Sequence, residues 1–298
     1  MNERIEKYFK VGTIQWMSYP PERCDLLETV KRLAMDPYFS AIEICHMESE
    51  ETRKTVRDIL RQTHMTVCFG AQPSILSSGA NPNDPDEEKR QKAEAILRAC
   101  VDEAEYLGAK GIAFLAGHWT EESKDICYAQ LLKTTGNLCD YARAKGMMIE
   151  LEVFDYDMDK CALIGPAPLA KAFAEDMRKK YDNFGLLVDL SHFPTTYETS
   201  RDVIPLLAPY ITHLHIGNAV VKPGCPAYGD KHPGFGFPDS ANDTEELIDF
   251  LREVKAAGLM KEDDPMVLSF EIKPQTYEEP QLLLNDSKRV LNTAWAKA

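Results

Sequence analysis

Strand-like and helix-like segments alternate eight times along this chain, and no other feature limits the fold as strongly. Short apolar runs of strand length lie at 11–16, 41–46, 65–70, 111–115, 147–155, 185–192, 212–218 and 266–274. Helical patterns follow them at about 23–35, 50–62, 86–107, 122–145, 167–181, 200–208, 243–257 and 280–296. In the third of these, Ala93, Ile96, Leu97, Cys100, Val101 and Ala104 share one face at helical spacing. Ser49 caps the second, with Glu50 and Glu51 favourably placed in its first turn. Eight βα units in 298 residues predict a single (β/α)8 TIM barrel, one catalytic domain spanning 1–298. A doubly wound sheet is the rival architecture, but no Gly-x-Gly-x-x-Gly follows any strand. The longest irregular stretch, about 217–241, follows strand seven and is expected to be an active-site loop.

The last four strands carry the chemistry. Each is apolar and presents a metal-binding side chain at or near its C-terminal end: Glu152, Asp189, His215 and Glu271. Barrel closure brings equivalent strand ends to one mouth, so these four are expected to converge. Burying them without a cation leaves charges unpaired at a cost of several kcal/mol each, roughly, which a bound metal removes. Oxygen ligands with one imidazole suit a divalent cation, Mn2+ first, with Mg2+, Co2+ or Zn2+ as alternatives. Glu150 shares a strand face with Glu152 but lies deeper. His213 lies deeper than His215 in the same way, which suits packing or a hydrogen bond behind the ligands. Asp189-x-x-His192 adds a second imidazole, and Asp230-x-His232 a carboxylate–imidazole pair in the long loop, where turn formation is an equally good account.

The net charge of −14 and pI near 5.0, without any Lys/Arg run, argue against a nucleic-acid partner. No apolar run reaches membrane-spanning length, and the charged first residues do not read as a secretion signal. The 8 cysteines are scattered without a Cys-x-x-Cys pair, so neither a disulfide framework nor a zinc finger is expected. The expected compartment is the cytoplasm.

The order Glu, Asp-x-x-His, His-x-His, Asp-x-His, Glu resembles the xylose-isomerase-like barrel superfamily. That superfamily contains sugar isomerases, ketose 3-epimerases, inosose dehydratases and endonuclease IV. The resemblance spans the chain and is most specific over 147–273. It implies that Glu152, Asp189, His215 and Glu271 hold the metal, that Glu152 and Glu271 are also the acid–base pair, and that His192 touches substrate. Ketose 3-epimerases carry an Arg soon after the strand-seven His, whereas this chain reads Asn218-Ala219-Val220-Val221-Lys222, leaving Lys222 as the cation there. Glu152-Val153-Phe154-Asp155 and Tyr228-Gly229-Asp230-Lys231-His232-Pro233-Gly234-Phe235-Gly236 look more like a divergent bacterial branch, related to the large subunits of C-glycoside deglycosidases.

The expected function is therefore a metal-dependent sugar isomerase or epimerase that removes a proton next to a keto-sugar carbonyl. The first alternative is a C-glycoside deglycosidase (lyase) large subunit acting on 3-keto C-glycosides. A distant alternative is an abasic-site DNA endonuclease, which His118, His192, Asp230 and His232 partly suit, although strand three ends Cys68-Phe69-Gly70-Ala71-Gln72 where that family supplies a histidine. A non-catalytic barrel stabilised by its metal is the last. Substrate contacts are expected from His192, Lys222, Asp230, His232, His118, Trp16, Phe154 and Lys273. Trp16, Trp119, Phe154 and Phe235 are candidates to stack on a sugar face, with packing under loops an equal account. Glu43, His46 and Gln72 lie near the same rim and, with His118 and Lys273, are further candidates for contacts to substrate hydroxyls. No phosphate cradle is evident, so the expected partner is an unphosphorylated sugar or glycoside, with a homo-oligomer or a small partner subunit allowed.

Overall fold

The computed structural model describes residue 1 and residues 3–298. Eight parallel strands form the barrel: β1 Phe9–Thr13, β2 Ala41–Cys45, β3 Thr66–Gly70, β4 Gly111–Leu115, β5 Met148–Glu152, β6 Phe184–Asp189, β7 Ile211–Gly217 and β8 Met266–Glu271. Seven neighbouring pairs are hydrogen-bonded in the order β1-β8-β7-β6-β5-β4-β3-β2, β3 and β4 only at the ends Phe69–Gly70 and Ile112–Ala113. The last gap closes through the single parallel bridge Ile14–Glu43 and the hydrogen bond from Ser40 N–H to the Val11 carbonyl. The chain thus folds as a single (β/α)8 TIM barrel.

The long outer helices are α2 Leu26–Met35, α3 Glu50–Leu60, α5 Glu87–Leu107, α6 Lys124–Arg143, α7 Ala167–Arg178, α9 Ser200–Leu207, α10 Thr244–Ala256 and α11 Pro280–Lys297. Three short ones, α1 Gln15–Ser18, α4 Gln72–Ser78 and α8 His192–Thr195, each begin within three residues of a strand end on the C-terminal face. Two expectations are corrected here. The first strand ends at Thr13, and Gln15 and Trp16 belong to a helical turn rather than a strand. The segment after β3 is not a continuous loop, because Pro73 in its first turn starts α4.

Strand period decides what faces where. Ile42, Ile44, Phe69, Ile112, Phe114, Ile149, Leu151, Leu186, Val188, Leu214, Ile216, Leu268 and Phe270 are buried in one apolar cluster with helix residues such as Leu33, Leu97, Leu131, Phe173, Phe250 and Leu291. The alternate positions line the barrel axis: Gly12, Glu43, Cys68, Ala113, Glu150, His213 and Ser269 in the middle, with Glu152, Asp189, His215 and Glu271 above them. Branched apolar residues usually fill that interior. Here, Leu187 apart, it is mostly small or polar, and Glu43, Glu150, His213 and His215 bond to one another.

Candidate metal site at the barrel mouth

Glu152, Asp189, His215 and Glu271 each offer one donor atom, and the four atoms lie within 4.8 Å of one another, all buried. His215 sits between the others: its Nδ1 is 2.7 Å from Glu271 Oε2 and 3.8 Å from Glu152 Oε1. Its other ring nitrogen, Nε2, lies 3.0 Å from Oε1 of Glu43. Donation from Nε2–H to Glu43 leaves Nδ1 as the ligand nitrogen, the arrangement in which a carboxylate behind a histidine fixes its tautomer.

Glu43 does the same for His213, whose Nε2 is also 3.0 Å from its Oε1. The far nitrogen of His213 lies 3.2 Å from Glu150, which takes a further bond from Thr212 at 2.7 Å. Glu150 is therefore engaged below the site, and the deeper position of His213 carries a hydrogen-bonding role. Ser191 donates to Asp189 through both its backbone N–H (2.9 Å) and its hydroxyl.

A second layer surrounds Asp230. Its Oδ1 faces His192 Nε2 at 3.3 Å and His232 Nε2 at 2.5 Å, while its Oδ2 is paired with Lys160 at 2.6 Å. His192 is anchored from behind, Nδ1–H donating to the Val153 carbonyl at 2.8 Å, and its ring lies 4.2 Å from that of Phe154. His232 holds a left-handed backbone, φ +48°, unusual for a residue with a β-carbon. The Lys273 N–H bonding its carbonyl at 2.6 Å helps to hold it there. Asp155, at the end of the β5 segment, accepts the backbone N–H groups of Met158, Asp159, Lys160 and Cys161, and so shapes the loop that delivers Lys160.

The electrostatics separate the two glutamates. Burial, and then the charge of Glu271, push Glu152 up to about 8. Burial opposes ionisation of Glu271 too, but His232 and His215 outweigh it and bring that carboxyl down to about 2. Burial likewise works against a charge on His192, yet Asp189, Asp230 and Glu152 raise it to about 10. Glu152 Oε1 is buried and, among the described residues, has no hydrogen-bond partner. Three carboxylates and one imidazole crowding a buried acceptor without a partner are a donor set for a divalent cation, and the residues fit one.

Not every expected contact reaches this cluster. Lys222 does not: its ammonium is 65% exposed and paired with Asp239 at 2.7 Å. His118 is exposed, and the loop that carries it is clamped by Asn81 and Asn83, which donate to its carbonyl. It belongs to none of the potential metal groups among the described residues, which removes a ligand that the DNA-endonuclease reading used. Trp119 lies under Lys124 (5.0 Å), and Phe235 packs against the apolar core. Trp16 does approach the mouth, its Cη2 lying where a β-carbon on Gly70 would be 2.4 Å away. Gln72 donates to Glu152 Oε2 at 2.7 Å. Sequence reasoning put Glu43 and Gln72 at the rim as candidate contacts to substrate hydroxyls; it did not foresee their bonds to His213, His215 and Glu152, and it missed Lys160. The His-x-His spacing of β7 was the available signal for Glu43, since two buried imidazoles on one face need a common acceptor.

By sequence, no curated protein matches the chain. Solved structures share its fold. The apo form of 3-keto-D-glucoside 4-epimerase, YcjR, from E. coli superposes with TM-score 0.71 at 16% identity, covering 96% of this chain and 99% of that one. The IolI protein with a bound zinc atom gives 0.71 at 15% identity, covering 97% and 99%. L-ribulose 3-epimerase gives 0.69 at 20% identity, covering 97% and 96%. Among the described residues no helix is long and apolar enough to cross a membrane. The sequence profile of the Xylose isomerase-like TIM barrel family matches residues 33–280, and this chain belongs to that family.

Proposed function

We propose that this protein is a divalent-metal-dependent sugar isomerase or epimerase that moves a proton on the carbon next to a carbonyl. The observation that carries the reading is the pair Glu152 and Glu271, two buried carboxyls on strands three apart in the ring that share one four-donor group. Two carboxyls at one site can divide the work of base and acid between them. The ionised one takes the proton from carbon, and the other, holding its proton on a carboxyl oxygen, returns one to the opposite face or the neighbouring carbon.

Glu152, Asp189, His215 and Glu271 would hold the cation, Mn2+ by the oxygen-rich donor set, although the bound zinc of IolI keeps that metal in play. When bound, the cation supplies positive charge against which oxygen anion develops beside the reacting carbon. His192 is fixed by Val153, Phe154 and Asp230, and a substrate hydroxyl would share its Nε2–H with Asp230. Proton transfer of this kind is worth about 10²–10⁴-fold in rate.

The test is deuterium uptake from D2O into D-tagatose, D-fructose, D-psicose and 3-keto glucosides, with Mn2+ present or chelated. The last class is included because YcjR acts on a 3-keto-D-glucoside. Metal-dependent label next to the carbonyl, lost in Glu152→Gln and in Glu271→Gln, is the expected result. Release of an aglycone instead of a labelled sugar would favour the lyase. A protein that binds no metal and labels no sugar would overturn the proposal.

A further inference from the structure

Gln72 is the first residue of α4, and Pro73 after it fixes the backbone from which its side chain departs. That side chain reaches over the mouth to donate its Nε2–H to Glu152 Oε2 at 2.7 Å. As a ligand of the cation Glu152 is a carboxylate, and a carboxylate takes a donor, which identifies the two ends of the amide. Oε1 is thereby left facing elsewhere, buried and, among the described residues, accepting no hydrogen bond. Buried polar atoms are rarely left so, and an orphan at a binding site asks for a ligand group.

The neighbourhood narrows that group. A β-carbon on Gly70 would stand 2.4 Å from Trp16 Cη2 and 2.9 Å from this same Gln72 oxygen. Glycine thus lets an indole edge and a lone amide acceptor press together against the end of β3. An apolar edge beside one acceptor matches the C–H face of a sugar with a hydroxyl next to it.

We propose that Gln72 is a specificity-determining residue: its Oε1 accepts one substrate hydroxyl close to the reacting carbon, while its Nε2 keeps Glu152 in place. The inference rests on the keto-sugar reading above. It makes discrimination between a sugar and its deoxy analogue depend on a residue outside the four-donor group.

Two variants of the full-length, Mn2+-loaded protein test it. Gln72→Met removes both amide functions at similar length, and Gln72→Glu keeps an acceptor but loses the donor to Glu152. Binding of the four sugars named above, and of the monodeoxy forms of the best of them, is measured by calorimetry alongside deuterium exchange. In the wild type one deoxy analogue should bind roughly 10- to 100-fold more weakly than its parent. In Gln72→Met the parent should fall to the level of that analogue and the analogue no further, both measured at saturating Mn2+ because loss of Nε2 also loosens Glu152. Gln72→Glu should keep part of the discrimination.

At saturating Mn2+, equal losses for parent and all analogues, or no loss at all, would each overturn the assignment. Sugar binding without any exchange would overturn the enolate chemistry alone, because the deoxy pattern still decides Gln72. Failure to bind any of these sugars would overturn both.

Discussion

Replacing Glu43 by Gln should weaken metal binding from a position that touches no metal. Oε1 of Glu43 faces Nε2 of His213 and of His215, each at 3.0 Å, and the residue is 2% exposed. Hydrogen bonds to a charged group are worth about 1.5–3 kcal/mol each, and neutral ones about half of that. An amide oxygen in place of the carboxylate therefore loses roughly 2–3 kcal/mol over the two bonds, and also the charge opposite the His213 imidazolium. At about 2–4 °C per kcal/mol for a large domain, the melting temperature of the metal-free protein should fall by about 4–12 °C. His215 would also keep only a weaker, uncharged acceptor for the proton on Nε2, and could be offered the amide N–H₂ instead, which would shift the lone pair away from Nδ1. Loss of such support lowers metal affinity by about 10–100-fold. Differential scanning calorimetry of the metal-free protein and a Mn2+ titration read the two effects. Glu150→Gln is the control, since Glu150 contacts His213 and Thr212 but not His215; it should leave Mn2+ affinity within about threefold. A Glu43→Gln protein with wild-type Mn2+ affinity would refute the argument that this carboxylate sets the ligand nitrogen.

Removal of metal exposes a pH dependence whose sign follows from the imidazoles. Against burial, neighbouring carboxylates raise His192 to about 10 and His213 and His232 to about 9. Their contribution is complete below the unfolded value of about 6.5 and is lost as pH rises through 9–10. Glu152, raised to about 8, drifts the same way from lower pH, whereas Glu271, held near 2, loses its contribution only in strong acid. The metal-free melting temperature should therefore fall steadily from pH 6.5 to 10, and a flat profile would contradict the assigned charges. Mn2+ at about 100 times its Kd should add about 2.7 kcal/mol of stability. Binding should release a proton from His215, seen as a buffer-dependent enthalpy in calorimetry. Gly70→Ala forces a β-carbon into Trp16 and Gln72, so about 1–3 kcal/mol of destabilisation is expected by thermal melting. Sugar KM should rise with it. Lys160→Met leaves Asp230 Oδ2 without its cation and should cost about 3–5 kcal/mol, with Mn2+ affinity little changed because Asp230 lies outside the four donors.

What the sequence disclosed and what it hid divide along a physical line. Glu152, Asp189, His215 and Glu271 are legible because each stands at the end of its own apolar run, and a parallel barrel brings equivalent ends together whatever the loops do. The eightfold alternation is local in the same sense. Glu43 is different: its partners His213 and His215 lie 170 and 172 residues away on β7. Whether a carboxylate on β2 meets them depends on how deep in the barrel each residue sits, which no local pattern encodes. Gln72 could be named at the rim, but its bond to Glu152 was hidden by a misread element, since a loop residue has no fixed direction whereas the first residue of a proline-initiated helix does. Lys222 failed for the opposite reason. Its place after strand seven was right for a substrate cation, but Asp239, farther along the same loop, pairs with it at 2.7 Å where water covers both. The cation that does enter the second layer, Lys160, comes from the loop after β5, and it arrives because Asp155 gathers four consecutive backbone N–H groups into a turn. An Asp155→Ala variant should accordingly loosen Lys160 from Asp230 and raise sugar KM while the four donors keep their Mn2+ affinity. If Mn2+ binding and KM changed together, the two layers would be one unit and the separation drawn between them would fail.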